Sequence, residues 1–174
     1  MKEILQRAKK VKLVVFDVDG VLTDGSLFYG DNGEEYKAFY AKDGLGMKLL
    51  MRTGVQIGII TARNSSLVKH RMDSLGIDHL YQGRLDKLNA FDDLLNKLNL
   101  HYEQTAFVGD DVVDLPVMNK VGLSITVKDA HPLVVAQAHW QTPLNGGRGA
   151  ARNVCELIMQ AQNTLEEQLH SFSK

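Results

Sequence analysis

Apolar residues in this chain fall into short unbroken runs separated by segments of helical spacing. Val11 to Phe16 is almost continuously apolar, as expected of a strand buried on both faces, and Val55 to Ile60, Thr105 to Val108 and Val121 to Ile125 repeat the pattern. Leu88, Phe91, Leu94, Leu95 and Leu98 share one helix face, and Val154, Leu157, Ile158, Ala161 and Leu165 share another. Gly54 and Gly76 stand where helices would end on a left-handed residue. This alternation predicts an α/β fold: a three-layer, Rossmann-like core with a mainly parallel sheet between helices. One stretch departs from it. From Ser26 to Tyr40, Gly30-Asp31-Asn32-Gly33 sits between two aromatic-rich runs, which predicts a projecting β-hairpin at about 26–40. No repeat or linker interrupts the pattern, so a single domain over 1–174 is expected.

Composition narrows the class only a little. The chain has 174 residues, 44% hydrophobic and 24% charged, enough for one sizeable core and unlike a disordered tail, a fibre or a coiled coil. Twenty basic against 21 acidic residues leave a net charge of -1, so no basic field exists to attract nucleic acid. No apolar run approaches the roughly 18 residues of a membrane span. Met1 to Lys12 is charged and lacks the apolar stretch of a secretory signal, which points to the cytoplasm. A single cysteine, Cys155, excludes an internal disulfide and a cysteine zinc cluster.

Chemistry is concentrated at the ends of the apolar runs. The first leads into Asp17-Val18-Asp19-Gly20-Val21-Leu22-Thr23-Asp24, the second into Thr61-Ala62-Arg63, and the third into Gly109-Asp110-Asp111-Val112-Val113-Asp114, while Lys87 opens a helix. In an open parallel sheet the carboxyl ends of the strands form the ligand crevice, so these groups are expected to converge there. Several carboxylates at one edge suit Mg²⁺. A carboxylate beside that metal can attack phosphorus, and a second can serve as acid and then base. A hydroxyl and an ammonium can hold the phosphoryl oxygens. Singly, each residue has a plainer explanation: aspartates often follow strands in loops, Thr61 could bond backbone, and Lys87 could be solvated. A lysine at a helix N-terminus nevertheless opposes the dipole, and the ordered set is harder to dismiss.

That set, Asp17-x-Asp19-Gly-Val-x-Thr, then Thr61, Lys87 and Gly109-Asp110-Asp111-x-x-Asp114, resembles the haloacid dehalogenase superfamily of phosphohydrolases. Asp43-Gly44-x-Gly46, Pro116-Val117-Met118, Asp129-Ala130-His131-Pro132 and Gly146-Gly147-Arg148-Gly149-Ala150-x-Arg152 resemble in particular the family of 3-deoxy-D-manno-octulosonate (KDO) 8-phosphate phosphatases. The resemblance implies hydrolysis of a sugar-acid phosphate in lipopolysaccharide precursor synthesis. Asp17 would be nucleophile and Asp19 general acid/base, with Thr61 and Lys87 orienting the phosphoryl group. Mg²⁺ would be held by Asp17, the Asp19 carbonyl and Asp110, with Asp111 and Asp114 acting from behind. Arg63, Arg152 and Gly147 would contact substrate, with Lys42 and Asp43 as weaker candidates. Rival readings are a nonulosonate 9-phosphate phosphatase and, from another class, a phosphoacceptor signalling domain. The latter puts its phosphoacceptor on the third strand, whereas Asp17 and Asp19 follow the first.

Superfamily members that cover their sites insert a cap domain between these motifs. The intervals from Asp19 to Thr61 and from Thr61 to Lys87 are filled by the hairpin, two helices and two strands, which leaves no room for one. The hairpin aromatics Phe28, Tyr29, Tyr36, Phe39 and Tyr40 therefore suggest that subunits cover one another's sites, a homo-oligomer that the resemblance makes a homotetramer.

Overall fold

The computed structural model describes residues 1–170 and 172; Ser171, Ser173 and Lys174, within the expected 1–174 domain, lie outside the described residues. The chain runs α1 (Lys2–Ala8), β1 (Leu13–Phe16), β2 (Phe28–Tyr29), β3 (Glu35–Tyr36), α2 (Ala41–Arg52), β4 (Gln56–Ile60), α3 (Ser66–Leu75) and β5 (His79–Tyr81). It continues with α4 (Lys87–Leu98), β6 (Thr105–Gly109), α5 (Leu115–Met118), β7 (Leu123–Thr126), α6 (Pro132–Gln137), β8 (Trp140–Gln141), α7 (Ala150–Ala161) and α8 (Leu165–His170). Six strands form one sheet in the order β5-β4-β1-β6-β7-β8, every pairing parallel.

Side-chain alternation divides the core between the two faces of this sheet. On one side Val14, Phe16, Ile57, Ile59, Val108 and Ile125 pack with Met47 and Leu50 of α2, Met72 of α3 and Val154 and Ile158 of α7. On the other, Leu13, Val15, Ile60 and Phe107 pack with Phe91 and Leu94 of α4, Met118 of α5 and Val134 of α6. The central strand β1 is apolar at all four positions, and its neighbours nearly so, because helices cover both faces. After β1 the chain builds outward through β4 and β5, then α4 carries it to the opposite face and β6 returns to β1's other side. The order reverses between β1 and β6, so the crevice opens at their carboxyl ends.

Helix ends follow local chemistry, with one departure from the periodicity. Gly54 (φ 91°) and Gly76 (φ 76°) are left-handed where expected. The apolar stripe of the last helix does not run through to Leu165: α7 stops at Ala161, Asn163 turns left-handed at φ 58°, and the Thr164 N–H donates back to the Met159 carbonyl at 2.9 Å. Leu165 begins α8 instead, because an asparagine that tolerates the left-handed region closes the preceding helix. Cys155 is fully buried in α7, where burial keeps its thiol protonated.

The N-terminus of α7 is capped from α2. Gly149 offers no side chain, and the Asp43 carboxylate accepts N–H bonds from Gly149 (3.3 Å) and Arg152 (2.8 Å). Asp43→Ala would leave both donors buried and unsatisfied, and should destabilise the fold by about 2 kcal/mol. The measurement is a urea midpoint that falls while the slope of the transition is unchanged.

Candidate active site

Asp17 follows β1 directly, its N–H donating to the Val108 carbonyl of β6 at 3.0 Å. The chain then folds tightly on itself: Val21, Leu22 and Thr23 N–H groups all donate to the Val18 carbonyl. Thr23 Oγ1 donates to that same carbonyl and accepts the N–H groups of Gly20 and Gly25, so one hydroxyl knits the loop. Gly20, at φ 90°, lies against the Asp110 carboxylate, where a Cβ would collide with it. This close approach brings the loop after β1 onto the loop after β6.

Lys87 sits between them. Its side chain is 2% exposed, and Nζ donates to Asp114 Oδ1 at 2.6 Å and pairs with Asp17 Oδ1 at 2.9 Å. The Asp86 side chain caps α4 by accepting from the Asn89 N–H, which frees the next residue, Lys87, to turn inward. Burial would pull Lys87 down, but the facing Asp17 and Asp114 carboxylates hold it above the ordinary lysine value. Burial pushes Asp17 up, against the pull of Lys87. Asp114 Oδ2 accepts the N–H groups of Asp110 (3.0 Å) and Asp111 (3.3 Å), so both its oxygens are engaged.

Asp110 is different. Its Oδ1 is buried and has no hydrogen-bond partner among the described residues. Burial, then the Asp17 and Asp114 charges, push its carboxyl up to about 8. Oxygens of Asp17, Asp110 and Asp114 all lie within 4.8 Å of one another, a hard-oxygen set that fits a divalent cation. With Asp114 committed to Lys87 and backbone, Asp17 and Asp110 are the carboxylates positioned to meet it.

The remaining expected residues separate into two groups. Thr61, buried at the end of β4, is anchored by its N–H to the Tyr81 carbonyl at 2.9 Å. Arg63 lies beside Asp19, Nε to Oδ2 at 3.9 Å, and its Nη2 reaches Glu35 Oε1 (2.9 Å) and the Tyr29 hydroxyl (2.7 Å). Asp111 turns outward and caps the next turn through Oδ1 to the Val112 N–H, so it does not touch Lys87. Arg152 is not joined to the carboxylates: its guanidinium pairs with Glu156 at 2.6 Å and its N–H goes to Asp43. Asp43 itself is the α7 cap, and Lys42 is exposed without an ion pair among the described residues. Gly147 (φ 61°) approaches backbone closely, and what it approaches is the 20–24 loop: its N–H donates to the Val21 carbonyl at 2.9 Å and a Cβ would strike Thr23.

Two residues that sequence reasoning left without a role, Glu35 and Lys37, line this site, and so does Tyr29, expected there only as an aromatic of the subunit contact. Tyr29 and Glu35 face each other across the ribbon, and Lys37, two residues on, points the same way. Lys37 Nζ bonds Asp19 Oδ1 and lies 3.4 Å from Glu35 Oε1. The alternation of Glu35 and Lys37 was the available signal, but nothing local says which way the ribbon faces. The Asp129-Ala130-His131-Pro132 segment also braces the site: the His131 N–H donates to the Asp110 carbonyl (2.8 Å), and Asp129 Oδ1 accepts the Gly146 N–H (3.0 Å).

Asp110 makes stability pH-dependent. With a folded value of about 8 against an ordinary 3.8, the metal-free protein binds the extra proton when folded, and so loses stability as pH rises between these values. A divalent cation removes the repulsion, so the rise in thermal midpoint on adding Mg²⁺ should grow from about pH 4 to pH 8. A shift independent of pH would contradict this account of Asp110.

The geometry has counterparts in known proteins. Residues 79–153 match the model of the haloacid dehalogenase-like hydrolases. The chain is 49% identical over 165 residues to the 3-deoxy-D-manno-octulosonate 8-phosphate phosphatase KdsC of Escherichia coli K12, covering 95% of this chain and 88% of that one. It superposes with a TM-score of 0.97, at 42% identity and 99% coverage of both chains, on the Moraxella catarrhalis phosphatase of the same name, solved with magnesium, phosphate and KDO. The cobalt-bound Haemophilus influenzae phosphatase matches with a TM-score of 0.92 at 39% identity, covering 97% of this chain and 100% of that one. With half its residues identical over nearly its whole length, the chain belongs to the KDO 8-phosphate phosphatase family of the haloacid dehalogenase-like hydrolases.

Proposed function

We propose that this chain hydrolyses KDO 8-phosphate to KDO and inorganic phosphate, with Mg²⁺ as cofactor and a phosphorylated Asp17 as intermediate. The observation that carries this reading is the buried Asp17–Lys87–Asp114 set beside Asp110, whose free carboxylate oxygen faces a place for a cation. An Asp17 oxygen attacks phosphorus in line with the ester bond, which breaks as Asp19 gives its proton to the departing sugar oxygen. Asp19, now a carboxylate, takes a proton from water. That water's oxygen attacks phosphorus, the bond from Asp17 to phosphorus breaks, and phosphate leaves. Thr61 and Lys87 hold phosphoryl oxygens, and Lys87 also keeps Asp17 ionised despite its burial. Mg²⁺, held by Asp17, the Asp19 carbonyl and Asp110, supplies positive charge to the phosphoryl oxygens. Arg63, cationic and at the rim, suits the carboxylate of a sugar acid.

Among the described residues no inserted domain covers the site, and we propose a homotetramer in which hairpins meet. Phe28 and Tyr36, paired on the ribbon face opposite Tyr29 and Glu35, are 52% and 60% exposed and provide an apolar surface for a second copy. We place the reaction in the cytoplasm, where the lone, buried thiol of Cys155 needs no partner.

Phosphate release should be fastest from KDO 8-phosphate and should stop with EDTA. Faster release from a nonulosonate 9-phosphate would reassign the substrate. Asp17→Asn should lower turnover by on the order of 10⁴ or more while circular dichroism is unchanged; retained turnover would displace Asp17 as nucleophile. Sedimentation should give a tetramer, and an active monomer would overturn the hairpin interface.

A further inference from the structure

We propose that Lys37, delivered by the hairpin, is the positioning residue that sets the carboxylate of Asp19 for both halves of the reaction. The inference rests on Asp19 serving as acid and then base, as above. Asp19 stands in a loop, and its side chain is 21% exposed, so packing alone leaves it several orientations. Its task allows few of them, because one oxygen must reach the leaving group and later the attacking water on the same side of phosphorus.

Two cations restrict it. Arg63 Nε stands 3.9 Å from Oδ2, but that side chain is 40% exposed and shared with Glu35 and Tyr29. Lys37 is the closer partner: Nζ bonds Oδ1, and its side chain is 1% exposed, an unusual depth for a lysine. Glu35 lies within reach of both cations, at 3.4 Å from Lys37 and 2.9 Å from Arg63, so it holds both beside Asp19. The β2–β3 ribbon is two residues per strand, too short to be stable alone, and register puts Tyr29 and Glu35 on this side with Lys37 two residues further on. Asp19 and the ribbon thus hold each other in place.

If Lys37 merely pinned the ribbon, its loss would lower stability and weaken substrate binding. If it sets Asp19, its loss falls on turnover. Lys37→Met should lower kcat on KDO 8-phosphate by at least about tenfold, with KM within about threefold, and Lys37→Arg should recover most of it. p-Nitrophenyl phosphate separates the steps, since its leaving group needs no proton but hydrolysis of phosphorylated Asp17 still needs the base. Lys37→Met should then release a burst approaching one nitrophenolate per site, larger than the parent enzyme's, before slow turnover. Glu35→Gln, which leaves Lys37 in place, should lower kcat by a smaller factor. Unchanged kcat with raised KM, or a loss on p-nitrophenyl phosphate without a burst that Lys37→Arg does not rescue, would overturn the inference. Failure of the parent enzyme on KDO 8-phosphate would instead overturn the substrate reading, and the p-nitrophenyl phosphate comparison would still decide Lys37.

Discussion

A buried ammonium needs anions, and the placement of Lys87 between Asp17 and Asp114 is the constraint on which the site depends. Removing one partner of such a buried set leaves an uncompensated charge costing several kcal/mol, so the three groups act as one unit. They come from the end of β1, the start of α4 and the turn after β6. The interaction therefore needs β6 to lie beside β1, which the reversal of strand order supplies, and needs α4 on the face toward which that crevice opens. Asp110 shares the crevice without a direct ion pair to the lysine, so its burial and its carboxylate neighbours outweigh the pull of Lys87 and raise it, and a cation belongs there.

Around that centre, backbone approaches its neighbours more closely than any side chain would permit. Gly20 lies on Asp110, and Gly146 and Gly147 lie on the loop from Gly20 to Asp24, each where a Cβ would collide. Asp43, Asp129 and Thr23 spend their polar atoms on backbone groups of these same segments. Much of what looks chemically rich near the site is therefore bracing that keeps Asp17, Asp19 and Asp110 in register.

The hairpin has two faces with different chemistry, which follows from strand alternation. Tyr29 and Glu35 turn toward Arg63, and Lys37 reaches Asp19, while Phe28 and Tyr36 are left to solvent or to another subunit. The ribbon thus lies against its own chain's site, and its outer aromatics remain available for association. Packing onto its own domain and reaching a neighbouring copy use different sides of this one element.

The strand and helix alternation, the parallel sheet and the acidic sets at the strand ends were legible in the amino-acid sequence because periodicity and local chemistry are short-range properties. The ends of helices were legible too where a glycine marked them, but the break at Asn163 was not, since its stripe of apolar residues continues in phase to Leu165. Partner choice was beyond local reading. Asp43, Gly147 and Arg152 carry the residue types of a substrate site, and within the chain they make a helix cap, a loop contact and an ion pair with Glu156 that no local pattern announces. Lys37 shows no motif of its own and stands against Asp19. Which polar group meets which is decided by distances across loops and sheet, and only the tertiary packing sets those distances.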